Sequence, residues 1–365
     1  PGQNRYTTAT ETVPRGPFAL ADFRDPVMTD QTINRVLVTG GAGYVGSVLT
    51  PKLLDAGYEV VVFDIQYFGD DFLPKGNPKL TSIKGDLRDT AAFAEAVKGC
   101  DAVIHLACIS NDPSFILDPN LSKSINYDCF EPMVLASKAA GVKRFVYAST
   151  SSVYGVSDSP DVTEDHPLVP LTDYNKYKGM CEPLLWKHIS DDFVGVTIRP
   201  ATVCGYGPRM RLDLSVNILT NHAVNNGKIT VFGGSQLRPN IHVEDVTDLY
   251  VDLLTQPAEK IQGETFNAGY QNMSISDIAE VVKKVVEEEF PGRPPIDIVT
   301  TPTDDIRSYH VNSDKIRNKI GFQPKRTVED AVRGLCRAFR EGKLPNSLTD
   351  DKYFNVKTMQ KLTAA

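Results

Sequence analysis

The stretch Thr39-Gly40-Gly41-Ala42-Gly43-Tyr44-Val45-Gly46 decides the fold of this chain. It follows a short apolar run at 35–39 that predicts a buried strand, and it opens a segment with the spacing of a helix. Gly40 permits the tight turn, Gly43 lets backbone amides approach a pyrophosphate, and Gly46 lets the helix pack closely on the sheet. The stretch therefore predicts a dinucleotide-binding turn.

An acidic residue stands where such a turn requires one. Asp64 comes 18 residues after Gly46, at the end of a second predicted strand at 59–65, and can bind the hydroxyls of an adenosine ribose. Its carboxylate would repel a 2′-phosphate, and no Arg or Lys stands in the turn or just after Asp64. The sequence therefore favours NAD over NADP as the cofactor. Asp86 ends a third predicted strand, where we expect it to meet the adenine amine.

Strands and helices alternate along the first half of the chain, which predicts a parallel sheet with helices on both faces and ligands at the carboxyl ends of the strands. Two late helices, at 274–289 and 327–342, each begin with a capping-box pattern. The predicted fold class is α/β, a Rossmann-type doubly wound parallel sheet with a smaller C-terminal α/β substrate lobe. The remaining predicted strands are 80–86, 102–107, 144–150, 193–203 and 229–232, and the remaining predicted helices are 44–56, 90–98, 121–140, 174–189 and 215–225.

The same pattern predicts the domain organisation. Residues 1–32 carry Pro, Thr and charge without a period, and we interpret them as an arm. We expect an NAD-binding domain at 33–203, to which some later segments return, a mainly substrate-binding lobe at 204–343 and a C-terminal tail at 344–365.

Composition narrows the possible functions. Among 365 residues, 39 Lys and Arg stand against 46 Asp and Glu, and a net charge of −7 argues against a protein that coats nucleic acid or an anionic membrane. The six cysteines form no C-x-x-C pair and the histidines do not cluster, so we expect no metal site and no disulfide framework. No apolar run reaches the roughly 18 residues of a membrane span, and no signal-peptide pattern opens the chain. We expect a soluble, cytoplasmic protein.

A tyrosine and a lysine form the candidate catalytic pair. Tyr174 and Lys178 are four residues apart on a predicted helix, so they share one face, and the ammonium would lower the pKa of the phenol toward that of a general base. The preceding strand ends in Ser149-Thr150-Ser151-Ser152, which places hydroxyl groups at the carboxyl edge of the sheet. These residues predict a site that moves a proton.

Taken together, these motifs resemble the extended short-chain dehydrogenase/reductase family, and within it the enzymes that act on nucleotide sugars. The resemblance covers about residues 34 to 325. The motifs that carry it are Thr39 to Gly46, Asp64, Gly85-Asp86, His105-Leu106-Ala107-Cys108, Asn126, the Ser149 to Gly155 strand end, Tyr174 with Lys178, Arg199-Pro200, and Arg238 to Asp245.

The resemblance implies a role for each matched position. Thr150 would hold the reacting oxygen of the substrate, Tyr174 would be the base, and Lys178 would activate it and bind the nicotinamide ribose. His105 and His242 are expected to be structural. The implied cofactor-binding residues are Gly40, Gly43, Tyr44, Val45, Gly46, Asp64, Ile65, Asp86, Leu87, Leu106, Ala107, Cys108, Asn126, Tyr174 and Lys178.

A nucleotide diphosphate sugar is the substrate that the resemblance implies. Arg238 matches the arginine that grips the diphosphate, a task suited to a guanidinium fork. The implied substrate-binding residues are Ser110, Asn111, Thr150, Ser151, Ser152, Asn217, Arg238, Arg307 and Tyr309.

The residues that follow Thr150 bear on which reaction the protein catalyses. The resemblance implies a shared first step, in which a sugar carbon is oxidised to give a 4-keto sugar. Dehydratases of the family carry Asp-Glu directly after the hydroxyl residue that matches Thr150, and decarboxylases carry a Glu there. This chain has Ser151-Ser152 at these positions. That difference favours an epimerase. A dehydratase or decarboxylase with a carboxylate from Asp112 or from another loop stays open. So do a sugar dehydrogenase or reductase and a non-enzymatic NAD-sensing module. The helices at 121–140 and 174–189 resemble the family's dimer interface, so we expect a homodimer.

Overall fold

The fold is described from a computed structural model for residues 32–157, 159, 161–303 and 308–363. The predicted N-terminal arm, apart from Thr32, and the predicted substrate ligand Arg307 lie outside the described residues. The strands, in chain order, are β1 (Arg35–Thr39), β2 (Glu59–Asp64), β3 (Leu80–Lys84), β4 (Ala102–His105), β5 (Arg144–Ala148), β6 (Val194–Pro200), β7 (Thr202–Cys204), β8 (Lys228–Phe232), β9 (Leu237–His242), β10 (Thr265–Ala268), β11 (Gln271–Ser274) and β12 (Asp297–Thr301).

Helices connect and cover these strands. In chain order they are α1 (Gly46–Asp55), α2 (Thr90–Ala96), α3 (Asp112–Phe115), α4 (Pro119–Lys123), α5 (Phe130–Ala139), α6 (Asp173–Trp186), α7 (Ser215–Asn226), α8 (Val243–Asp252), α9 (Ala258–Ile261), α10 (Ile275–Glu289), α11 (Asp314–Ile320), α12 (Val328–Arg340) and α13 (Asn355–Thr363). A π-helical turn spans Ser124–Asp128, and 3₁₀ turns span Ser151–Tyr154 and Asp351–Tyr353.

Seven parallel strands form the main sheet, in the order β10-β6-β5-β4-β1-β2-β3. The chain starts in the middle at β1 and winds outward in both directions, so the prediction of a doubly wound Rossmann-type sheet is confirmed. All seven carboxyl ends meet at one edge, and the order reverses between β1 and β4, where such sheets bind ligands.

Each face of the main sheet is covered by its own apolar layer. On one face, Leu49 and Leu53 of α1 pack with Leu249 of α8 and with Leu253, which directly follows that helix. On the other face, α2, α5 and α6 supply residues such as Phe93, Met133 and Leu185. Strands β1, β4 and β5 are buried on both faces, which explains why they read as continuous apolar runs rather than alternating ones.

The smaller lobe packs helices α7, α10 and α12 around strands β8 and β12, which form a two-stranded parallel sheet. A three-stranded sheet, β11-β9-β7, connects this lobe to the main sheet. Both predicted capping boxes are present: Ser274 and Asp277 cap α10, and Thr327 and Asp330 cap α12.

Two predicted elements are divided in the structure. The predicted strand at 193–203 forms β6 in the main sheet and then β7, because the chain bends at Ala201 and β7 pairs with β9. The predicted helix at 121–140 is interrupted by the π-helical turn at 124–128. Hydrophobic periodicity did not reveal either break.

The C-terminal segment, residues 344–363, folds back onto the rest of the protein. Leu344, Tyr353 and Met359 are buried, and the Tyr353 carbonyl accepts a hydrogen bond from the Leu212 amide at 2.9 Å. Helix α13 lies beside α3, next to the carboxyl edge of the main sheet. None of the helices in the described part of the chain has the length and apolar character to cross a membrane.

Candidate active site

A deep cleft opens at the carboxyl edge of the main sheet, over the point where the strand order reverses. The glycine turn, the ends of β2 and β4 and the start of α6 line it, together with residues from the loop after β7 and from α13. Most residues of the predicted cofactor site line this cleft, namely Gly40, Gly43, Tyr44, Val45, Gly46, Asp64, Ile65, Asp86, Leu87, Leu106, Ala107, Cys108, Tyr174 and Lys178.

Close backbone contacts explain the glycines of the turn. Gly40 has a φ of +71°, and a Cβ added there would lie 2.8 Å from the Cα atom of Ala107. A Cβ on Gly46 would lie 2.4 Å from the carbonyl oxygen of Gly40 and 2.5 Å from the Cα atom of Gly41. The turn can therefore be this tight only with glycine at both positions.

Replacing Gly46 with alanine is expected to destabilise the protein by about 1–3 kcal/mol, because the added methyl group would push the turn away from α1. The displaced amides should also bind NAD more weakly. Urea unfolding and NAD titration would measure both effects. The matched control is Gly334→Ala in α12, where an added Cβ meets nothing within 4 Å, so stability should stay equal or rise. Equal behaviour of the two variants would contradict this account.

Asp64 is held in place by backbone amides. Its Oδ2 atom accepts a hydrogen bond from Ala42 N at 3.0 Å and its Oδ1 atom accepts one from Gln66 N at 2.7 Å. Burial raises the pKa of the Asp64 carboxyl, although both amides oppose the rise. The carboxylate at the end of β2 and the glycine cradle match the donors and acceptors of a dinucleotide, so the residues present fit NAD.

Asp86 is paired within the chain. The guanidinium of Arg88 donates to both carboxylate oxygens and lowers the pKa of Asp86. Asp86 still lines the cleft, and its contact with adenine stays a prediction.

The Lys178 side chain extends from α6 to the carboxyl end of β5. Its Nζ atom donates a hydrogen bond to the carbonyl oxygen of Ala148 and lies 4.7 Å from the centroid of the Tyr147 ring. The side chain is buried. These contacts hold the ammonium at the floor of the cleft.

Tyr174 lies at the start of α6 and lines the same cleft. Burial, followed by the nearby Cys108 thiol, raises the pKa of its phenol well above the ordinary value, and Arg211 is the cation that most opposes this rise. From the sequence we expected Lys178 to be the cation that lowers the pKa of Tyr174. The structure adds Arg211, from the loop after β7, as a cation facing the proposed base.

The hydroxyl groups after β5 form a small network. The Thr150 and Ser152 oxygens are 2.8 Å apart, and Ser152 Oγ donates to the Asn175 side-chain oxygen at 2.5 Å. Ser151 is buried, and its Oγ atom has no hydrogen-bond partner among the described residues. Thr150 and Ser152 therefore lie beside the start of α6, whereas Ser151 points into the core.

Two predicted ligands brace the site instead of lining it. Asn126 is buried, and its amide exchanges hydrogen bonds with the backbone of Ile109. Asn217 has no exposed surface, because its amide accepts from Gly205 N and donates to the Arg211 carbonyl and, at 3.3 Å, to the Tyr44 hydroxyl. Neither residue lines the cleft, and both have backbone partners, so direct contact of Asn126 with the cofactor and of Asn217 with the diphosphate stays a prediction.

The two predicted structural histidines make structural contacts. The His105 Nδ1 atom is 2.7 Å from the Thr39 hydroxyl, and burial lowers the pKa of this imidazole well below its ordinary value. The His242 Nδ1 atom accepts from Glu244 N and so caps α8.

The predicted substrate residues fall into two groups. Ser110 lines the cleft, and Asn111 is linked to it through Asp213, which accepts from the Asn111 amide at 3.3 Å. Arg238 and Tyr309 lie together in the smaller lobe, with the guanidinium carbon 5.6 Å from the ring centroid.

Several residues that line the cleft were not predicted from the sequence, and four of them are polar or aromatic groups that bear on its chemistry. Arg209 and Arg211 belong to the loop after β7, Phe68 follows β2, and Asn355 begins α13. The arginines follow a strand end, which is a usable signal, whereas nothing local marks Asn355. In the described part of the chain, no group of three or more His, Cys, Asp or Glu side chains could hold a metal ion.

Comparison with known proteins agrees with this geometry. Residues 36–269 match the model of the NAD dependent epimerase/dehydratase family, and the chain belongs to that family. The cofactor is accordingly NAD, as the sequence predicted.

Individual relatives match most of the chain at low sequence identity. UDP-glucose 4-epimerase of Lactobacillus helveticus is 29% identical over 323 residues, covering 82% of this chain and 94% of the relative. The solved complex of MoeE5 with UDP-glucose and NAD is 26% identical, with a TM-score of 0.72, covering 85% of this chain and 99% of that one. UDP-N-acetylglucosamine 4-epimerase from Methanobrevibacter ruminantium, solved with UDP-N-acetylmuramic acid, is 25% identical, with a TM-score of 0.75, covering 86% and 100%. These proteins support the assignment to enzymes of the nucleotide-sugar epimerase/dehydratase class.

Proposed function

We propose that this protein is an NAD-dependent nucleotide-sugar epimerase that acts through a transient 4-keto sugar. The observation that carries the proposal is the residue pair after Thr150. Ser151 is buried in the core and Ser152 is hydrogen-bonded to Thr150 and Asn175. Neither residue is a strong acid or base, so the pair supplies nothing that would eliminate water from the sugar.

Two carboxylates in the segments around the cleft also support epimerisation. Asp112 accepts a hydrogen bond from the Thr172 hydroxyl at 2.6 Å, and Asp213 forms an ion pair with Arg211 at 2.9 Å. Both carboxylates already have a partner, and neither belongs to the strand end that would present an acid to the sugar. A dehydratase needs an acid and a base beside the reacting hydroxyl.

Tyr174 and Lys178, which line the cleft, and Thr150, beside the start of α6, would divide the chemistry among them. Bound NAD would accept a hydride from the sugar carbon and return it. Tyr174 would remove the proton of the sugar hydroxyl and later give it back, and Thr150 would hold the oxygen in place. Lys178, fixed by the Ala148 carbonyl, would orient the ribose beside the base. Rotation of the keto sugar between the two transfers would expose its other face.

The charges around the site and the ligands of the relatives support a nucleotide sugar as the substrate class. MoeE5 binds UDP-glucose, and the Methanobrevibacter epimerase acts on UDP-N-acetylglucosamine. Arg238 and Tyr309, which lie together, are proposed to bind the diphosphate and the sugar. Arg307, outside the described residues, keeps its proposed role at the same phosphates.

A panel of nucleotide sugars tests the proposal. Each would be incubated with the purified protein in deuterated water and followed by NMR. We expect one or more to be converted to its C4 epimer without deuterium at C4. A 4-keto-6-deoxy product with deuterium at C6, release of carbon dioxide, or NADH in proportion to product would contradict the proposal. So would the absence of turnover across the panel.

We also propose a homodimer formed by α5 and α6. Leu135 is 47% exposed and Trp186 37% exposed on these helices, whereas Met133 and Leu185 belong to the core of the monomer. Two exposed large apolar side chains on adjacent helices are the feature that a dimer would bury. Light scattering should give twice the monomer mass, and Leu135→Glu should reduce it. A monomeric mass for the unmodified protein would overturn the proposal.

A further inference from the structure

Arg209 is a buried arginine in the wall of the cofactor cleft, and no carboxylate among the described residues is bound to it. Its side chain is 2% exposed, and its guanidinium carbon lies 3.6 Å from the centroid of the Phe68 ring. The NH2 group donates to the Asn355 side-chain oxygen at 2.6 Å. The Nε atom is buried, and it has no hydrogen-bond partner in the part of the chain that the structure describes.

The nearest carboxylates are committed to other groups. Asp64 is held by the two backbone amides described above, and Asp213 pairs with Arg211 and accepts from Asn355 N at 3.0 Å. Burial, and then repulsion from Arg211, lower the pKa of Arg209 to about 9. An arginine buried in this way costs stability unless an anion accompanies it. The surroundings of Arg209 therefore lack an anion.

The position of Arg209 indicates which anion is missing. Its backbone amide donates to the Ser47 hydroxyl at 3.2 Å, in the first turn of α1. This is the helix whose N-terminus and glycine turn form the pyrophosphate cradle of a dinucleotide site. The Arg209 side chain lines the same cleft as this cradle, and its guanidinium is the planar fork that binds phosphate oxygens well.

The C-terminal segment holds this arginine at the cleft. Asn355 contacts three parts of the site: its side-chain oxygen accepts from Arg209, its Nδ2 atom donates to Ser110 Oγ at 2.9 Å, and its backbone amide donates to Asp213. Helix α13 is fixed by buried Met359, and the turn before it by buried Tyr353.

We propose that Arg209 binds the diphosphate of NAD and that the C-terminal segment, through Asn355, positions Arg209 over the cofactor. The segment is then part of the cofactor site, although it lies about 300 residues after the glycine turn. NAD would both neutralise a buried cation and fix the segment that covers it, which would slow its release.

Four variants test the proposal. Arg209→Gln removes the charge, and its control, Arg317→Gln, removes an exposed arginine. Asn355→Ala removes the positioning contacts, and its control, Lys357→Ala, changes a residue of the same helix whose side chain is in an ion pair at the surface. NAD retained through purification, the dissociation constant of NAD, and thermal unfolding of the NAD-free protein would be measured. We expect NAD to bind about 10- to 100-fold more weakly to Arg209→Gln and about 3- to 10-fold more weakly to Asn355→Ala, with both controls unchanged.

Unfolding of the NAD-free protein separates this proposal from a structural role. Removing a buried cation without a counterion should leave the unfolding temperature of Arg209→Gln equal or higher. A fall in both stability and NAD affinity would mean that Arg209 is structural, and an unchanged NAD affinity would also overturn the proposal. A raised KM for the nucleotide sugar with intact NAD binding would instead assign Arg209 to the diphosphate of the substrate. A loss confined to NADP binding would assign it to a 2′-phosphate. Either result would overturn the proposal.

Discussion

Replacing Tyr174 with phenylalanine is expected to lower turnover about 10²- to 10⁴-fold while the protein keeps its NAD, because the variant lacks only the group that accepts the substrate proton. The ring remains, so the cleft wall that Tyr174 helps to form should keep its shape. Turnover of an accepted nucleotide sugar and NAD content per protein would be measured together.

Tyr177 provides the matched control for this variant. It lies on the same helix, and its ring stacks on Phe115 with centroids 5.8 Å apart, away from the cleft. Tyr177→Phe should therefore retain most of the activity. Equal losses in the two variants would indicate a general disturbance of α6, and full activity of Tyr174→Phe would contradict its role as the base. An NAD-sensing module would show no turnover before or after the change.

Replacing Glu182 with glutamine is expected to destabilise the protein by about 3–5 kcal/mol, because it leaves the buried cation Arg199 without its counterion. Glu182 has no exposed surface, and it accepts hydrogen bonds from Arg199 Nε at 2.9 Å and NH2 at 2.6 Å and from Ser149 Oγ at 2.7 Å. The pair joins α6 to β6 beneath the strand end that carries Thr150.

Urea unfolding of the NAD-free protein would measure this loss. Glu131 is the control, because it also accepts from a cation, Lys187, and from His188, but at a solvent-accessible site on α5. Glu131→Gln should cost less than about 1 kcal/mol. A similar loss in both variants, or a stable Glu182→Gln protein, would contradict the burial argument.

Local sequence predicted the parts of the site that one βα unit forms by itself. The glycine turn and Asp64 lie within one βαβ unit, and the hydroxyl residues follow directly after β5. Their positions at the carboxyl edge follow from strand order and from the direction of parallel strands. The alternation of strands and helices predicted the doubly wound sheet, and the local spacing of Ser or Thr and Asp predicted both capping boxes.

The rest of the site depends on contacts between distant segments. Asn355 and Ser110 are 245 residues apart in sequence, and no periodicity or turn pattern relates them. Asn217 looked like a phosphate ligand from its neighbours, yet packing turns its amide inward to Tyr44 and the backbone. The spacing of Tyr174 and Lys178 placed them on one helix face but did not determine that Lys178 would reach the Ala148 carbonyl.

The central claim is that the sugar is oxidised and reduced again at C4 within one binding event. It is tested most directly with an accepted nucleotide sugar that carries deuterium at C4, incubated in ordinary water and analysed by mass spectrometry and NMR. We expect a C4 epimer that retains the deuterium at C4, with no accumulation of NADH. Loss of the deuterium to solvent, its migration to C6, or a net oxidised product would contradict the account.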